Sequence, residues 1–116
     1  MSTITHLYAG VPVADLDAST DWYTRFFGRG PDFRAGDETL WEIEGHATLF
    51  IETDSARAGT GRITLSVVGL DALLQSLAAR RIEHEAIESY SNGVRHVKVP
   101  DPDGNAIGLA EPPDAA

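Results

Sequence analysis

The chain has 116 residues, 42% of them hydrophobic and 23% charged, which suits a single globular domain with a real core and excludes disorder. It contains no cysteine, so disulfides, thiolate metal sites and thiol catalysis are excluded, and a reducing cytoplasm is the expected compartment. Eighteen acidic residues against nine basic ones give a net charge of −9, which argues against nucleic acid, whose phosphates need clustered Lys and Arg.

Residues 3–13 alternate as a strand that places His6 and Tyr8 on one face. The opening shows no basic stretch running into an apolar one, as a secretory signal would. No apolar run approaches the about 20 residues of a membrane-spanning helix. After Pro12, Asp15 or Asp17 can cap a helix whose Ala18, Trp22 and Phe26 recur every fourth residue, with Tyr23 and Phe27 alongside. Gly28 fits a left-handed helix end, and Gly30-Pro31 reinforces the stop. A short strand over 32–34 and a turn at 35–38 follow. Residues 39–44 and 47–53 then form a hairpin about Gly45, with Thr48, Phe50 and Glu52 sharing a face. Residues 54–61 read as a linker.

Beyond the linker, residues 62–68 form a strand with Arg62, Thr64 and Ser66 on one face. Asp71 opens a second helix that turns Leu70, Leu73, Leu74, Leu77 and Ala78 inward and Gln75, Arg80 and Arg81 outward. Strands are expected over 82–87, 94–99 and 105–110. Ser91-Asn92-Gly93 makes one turn and Asp101-Pro102-Asp103-Gly104 another, of type I. Pro112-Pro113 ends regular structure, and the tail beyond is expected to fray.

Val13, Leu16, Asp17 and Ala18 return as Val67, Leu70, Asp71 and Ala72, at a constant offset of 54. An internal repeat of this size decides the fold. The class is α+β: two βαβββ units, about residues 1–56 and 60–113, each bending its sheet around its own helix, so that the paired halves leave a concave sheet surface. A concave sheet of this kind is a natural ligand surface.

The run Val13-Ala14-Asp15-Leu16-Asp17-Ala18-Ser19, Trp22-Tyr23, Phe27-Gly28 and the later Asp101-Pro102-Asp103-Gly104-Asn105 resemble the glyoxalase / bleomycin-resistance / extradiol dioxygenase, or vicinal-oxygen-chelate, superfamily. The resemblance spans essentially the whole chain. It implies a cupped eight-stranded mixed sheet with the helices on its outer face, a homodimer, and a cavity that, in the metal enzymes, holds one divalent ion through His, Gln or Glu side chains. Carried over position by position, those ligands fall on Tyr8, on Arg62 at the repeat offset, on Gly108, and on Phe50 or, with a two-residue slip, Glu52. A guanidinium has no lone pair to give and glycine has no side chain, so no metal cofactor is expected. A displaced set of His6, His46 and Glu52 is the alternative. His84 reads as surface, and His96 can face the cavity.

Without an ion, Tyr8, Phe50, Glu52, Arg62, His6 and His96, with Trp41 at the rim, make a pocket for a small, planar organic molecule. Arg62 can pair with Glu52 or take a carboxylate from a ligand. Metal-free drug-sequestering members of the superfamily resemble this composition more than glyoxalase I does. Three readings stand side by side: a binding protein, an enzyme using a displaced metal or a Glu52 or histidine base, and a dimeric interaction module.

Overall fold

The computed structural model describes residues 2–113. Eight strands and two helices run in the order β1 (Leu7–Val13), α1 (Leu16–Phe27), β2 (Phe33–Ala35), β3 (Glu38–Ile43), β4 (Ala47–Thr53), β5 (Arg62–Ser66), α2 (Leu70–Ala79), β6 (Glu88–Ser89), β7 (Arg95–Pro100) and β8 (Ala106–Glu111). The strands divide between two mixed four-stranded sheets, ordered β1-β4-β3-β2 and β5-β8-β7-β6. In each, the first strand lies parallel to the last strand of its half, and the rest pair antiparallel. The βαβββ plan is therefore present twice. Neither described helix is long and apolar enough to cross a membrane.

One core serves both halves. Val11, Val13, Trp22, Tyr23, Phe26, Trp41 and Ile51 from the first half join Leu70, Leu74, Leu77, Val97, Val99 and Ile107 from the second. Trp22 stacks on Phe26 at 5.3 Å and Phe27 on Trp41 at 5.5 Å, so the aromatic stripe of α1 is buried as its spacing requires. The fourth inward residue is Ser19, while Ala18 is exposed, which shifts the buried stripe one position along.

The two repeats begin their helices differently. Asp15 caps α1, its carboxylate accepting from the Ala18 N–H at 3.1 Å. At the equivalent place in the second repeat stands Gly69, in a left-handed conformation with no side-chain cap. Asp71 is thus inside the first turn of α2 and not its cap. The free Leu70 N–H is satisfied from another strand, by the Glu111 carboxylate at 2.8 Å.

Two other expectations are corrected. Residues 82–87 form no strand, and the edge strand is only Glu88–Ser89. Arg80 does not point outward: its guanidinium donates to the carbonyls of Arg25 and Phe26 at the end of α1. Arg81 leaves α2 with φ 63°, the left-handed exit that glycine usually supplies. The tail beyond Pro113 lies outside the described residues.

The turn 101–104 closes as read, with the Gly104 N–H donating to the Asp101 carbonyl at 2.9 Å. Its side chains also tie the halves together. Buried Asp101 accepts from the Tyr23 hydroxyl and from Asn105 Nδ2, each at 2.8 Å. Asn105 Nδ2 donates to the Pro12 carbonyl at 2.8 Å, and Asn105 Oδ1 accepts from the Gly61 N–H at 2.7 Å.

Candidate functional site

Each sheet buries one face in the shared core and leaves the other open. On the first sheet the register aligns Tyr8 with Thr48, Gly10 with Phe50 and Leu40, and Pro12 with Glu52 and Glu38. Phe50 lies across Gly10, where a Cβ would come within 2.5 Å of the ring. The missing side chain lets an aromatic face cover β1. Tyr8, Asp32, Phe33, Leu40, Glu42 and Thr48 line a hollow of about 500 Å³ there. Tyr8 is 62% exposed and Phe33 60%, which is unusual for aromatics on a sheet and leaves an apolar patch open there. The ring of His6 leans on Tyr8 at 4.7 Å, and its Nε2 meets the Thr48 hydroxyl at 2.8 Å.

The second open face carries Arg62 and Thr64 on β5, Lys98 and His96 on β7, and only Ala106 and Gly108 between them on β8. With Tyr90, these residues line a hollow of about 270 Å³. A Cβ on Gly108 would stand 2.6 Å from His96 Nε2 and 2.9 Å from Thr64 Oγ1. The imidazole edge and the hydroxyl therefore converge because that position is glycine. His96 Nδ1 is buried without a hydrogen bond, 3.6 Å from a Glu88 carboxylate oxygen.

The site residues read from the sequence are thus divided. Tyr8, Phe50, His6 and Glu52 belong to the first sheet, Arg62 and His96 to the second, and Tyr8 and Arg62 line separate hollows. Glu52 is not paired with Arg62. It faces Glu38 across the β3–β4 ladder, and loss of water, Glu38, Asp37 and Asp54 together hold its carboxyl above the usual carboxylate range. Trp41 is not at a rim: it is fully buried, with Nε1 donating to the Arg29 carbonyl at 3.2 Å. Its alternation with Leu40 and Glu42 puts it on the core face, so the sheet period overrules any stacking role. His84 is exposed, as read, its Nδ1 2.7 Å from the Glu85 carbonyl oxygen.

Lys98, Thr64, Phe33 and Tyr90 were not singled out from the sequence as site residues. Lys98 shares parity with His96 and could have been found that way. Tyr90 and Phe33 could not, because they reach the open faces from short edge strands or beside them. A wider depression of about 740 Å³ lies between the end of α2 and the 100–102 turn, lined by Trp22, Arg81, His84 and Pro102 among others. It is away from both open faces.

A divalent ion needs convergent lone-pair donors. Tyr8, Phe50, Arg62 and Gly108 do not offer such a set, and Arg62 would repel the ion. The alternative trio is not assembled: His46 sits exposed in the hairpin turn, His6 is engaged with Thr48, and Glu52 sits among carboxylates. Among the described residues, no three His, Asp or Glu side chains group so as to hold a metal.

A family model described as Glyoxalase/Bleomycin resistance protein/Dioxygenase superfamily matches residues 3–109. A glyoxalase / bleomycin resistance protein from Catenulispora acidiphila is 38% identical, with a TM-score of 0.86 over 93% of this chain and 98% of that one. Two more distant structures share the fold. A lactoylglutathione lyase from Agrobacterium tumefaciens is 20% identical (TM-score 0.78; 96% of this chain, 94% of that one). A bleomycin resistance determinant encoded on the transposon Tn5 is 19% identical (TM-score 0.77; 90% and 95%). Comparison with the curated proteins gave no match.

Proposed function

The chain belongs to the glyoxalase/bleomycin resistance protein/dioxygenase superfamily, and from that premise we propose that it is a metal-independent protein that binds or sequesters a small, planar organic molecule. One observation carries the reading. At the positions onto which the family resemblance carries ion ligands, this chain has an exposed phenol, a phenyl ring laid over glycine, a guanidinium and a bare glycine backbone. Those groups suit stacking and anion pairing, and they make no convergent set of lone-pair donors for a cation.

The cup is closed by a second copy. Within one chain Tyr8 and Arg62 line different hollows, and the two open faces differ in charge. The first carries Glu38, Glu42 and Glu52, and the second Arg62 and Lys98, with Glu88 at its edge. A homodimer that sets the first sheet of one copy against the second sheet of the other brings aromatic and cationic halves together around the ligand.

A second reading, an enzyme with Glu52 as general base, is favoured by that carboxyl's raised proton affinity on an open face. Protein purified without chelators should carry no stoichiometric transition metal by elemental analysis. A panel of planar aromatics should include compounds that raise its melting temperature, and Arg62→Ala should remove that stabilisation. One tightly held metal per chain, or full stabilisation in the Arg62 variant, would overturn the proposal. Turnover lost on Glu52→Gln would favour the enzyme.

A further inference from the structure

In this acidic molecule nearly every basic side chain is spoken for. Arg25, Arg29, Arg34, Arg57 and Arg95 each lie within ion-pair distance of a carboxylate, from 2.6 Å for Arg34–Asp17 to 3.9 Å for Arg57–Asp54. Arg80 is spent on the carbonyls that end α1. Among the described residues Arg62, Arg81 and Lys98 have neither a carboxylate partner nor such a carbonyl role, and two of those three, Arg62 and Lys98, line one hollow.

The geometry between those two cations is specific. They rise from β5 and β7, two strand spacings or about 10 Å apart, and β8 between them offers only Ala106 and Gly108 as a floor. Thr64 Oγ1 and His96 Nε2 converge over that glycine. The groups turned to the floor are a five-donor guanidinium, an ammonium, a hydroxyl and an imidazole edge, a set dominated by donors. Tyr90 stands 6.5 Å from the His96 ring and gives one aromatic wall. The nearest carboxylate, Glu88, sits at the Nδ1 side of the imidazole, and its side chain is mostly exposed.

We propose that this hollow on the second sheet takes the carboxylate of a small planar organic acid, with Arg62 and Lys98 gripping it from either side and Gly108 keeping the floor open. The proposal rests on the open faces being ligand surfaces and adds the charge of the ligand. Arg62 is exposed and Lys98 half-buried, no carboxylate of the chain pairs with either, and a ligand carboxylate between them gains charge-assisted hydrogen bonds that a neutral group cannot.

The test is a titration of isotope-labelled protein, followed by backbone amide NMR at constant ionic strength, with benzoate, benzamide and inorganic phosphate as separate probes. Benzoate should move the amides of Thr64, His96 and Gly108 and bind about tenfold or more tighter than benzamide, and Lys98→Gln should weaken benzoate about tenfold. Gly108→Ala should abolish it by filling the floor. If that buried substitution disturbs the fold, the exposed-face Lys98→Gln variant, whose own spectrum reports its fold, still decides. Benzamide binding as well as benzoate at these amides would overturn the acid assignment and leave the ligand surface standing. Phosphate binding as well as benzoate would overturn the organic acid in favour of a free oxyanion. Unmoved amides with every probe would overturn the site, and silence on the Tyr8 face as well would overturn the broader reading with it.

Discussion

Tyr23 shows how one hydroxyl can serve the whole fold. Its ring is fully buried, and burial together with the neighbouring Asp101 pushes its hydroxyl well above the ordinary phenol value, so it remains a donor at every working pH. Removing it leaves a buried carboxylate one partner short. Tyr23→Phe is therefore expected to cost about 2 kcal/mol, the scale of a hydrogen bond to a charged group, read as a lowered urea midpoint with an unchanged slope. The Asp-Pro-Asp-Gly-Asn run was legible as a turn from its residue types. Its second task, holding Tyr23 and Pro12, was not, because those contacts span 78 and 93 residues and leave no local signature.

At the scale of elements, the repeat made the strands and helices readable, and its imperfections hid the rest. The offset predicts that α2 starts as α1 does, yet Gly69 replaces the capping Asp15 and a distant carboxylate takes over. Glu111 accepts from the Leu70 N–H and pairs with Arg95 at 2.8 Å, and both, in that order, hold its carboxyl below the usual range. A depressed carboxyl adds stability above its unfolded-state value and loses it as pH falls through its folded value. The gap between the native chain and Glu111→Gln should accordingly be wide at neutral pH and close on acidification through the carboxylate range. Urea midpoints measured across that range check this, and a constant gap would show that the charge of Glu111 is immaterial. The false strand at 82–87 has a related cause: alternation there comes from solvent-facing Glu83 and Glu85, and the backbone bond to β7, from the Glu85 N–H to the Lys98 carbonyl at 2.9 Å, does not extend into a ladder.

For the molecule as a whole, alternation along each strand told which residues share a face, so Phe50 with Thr48 and Arg62 with Thr64 were readable from period alone. Which face meets which is decided by how the halves pack, and that separated Tyr8 from Arg62 and sank Trp41 into the core. The two-copy cup predicts a particle of two chains by light scattering. Phe33→Asp, at a residue 60% exposed on the first open face, should shift the population toward single chains and weaken ligand-induced stabilisation. A single chain that retains full ligand affinity would overturn the shared cup.

Asn105, in the second repeat, grips the backbone at Pro12 in the first strand of the first repeat and at Gly61, where the joining stretch ends. That joint consequently bears little of the load. A backbone severed between residues 54 and 61 would leave two pieces still clasped through Asn105, the Tyr23–Asp101 and Arg80 bonds and a common interior, and they are expected to melt together in a single step. The two repeats share one interior, and each is accordingly expected to unfold when separated from the other.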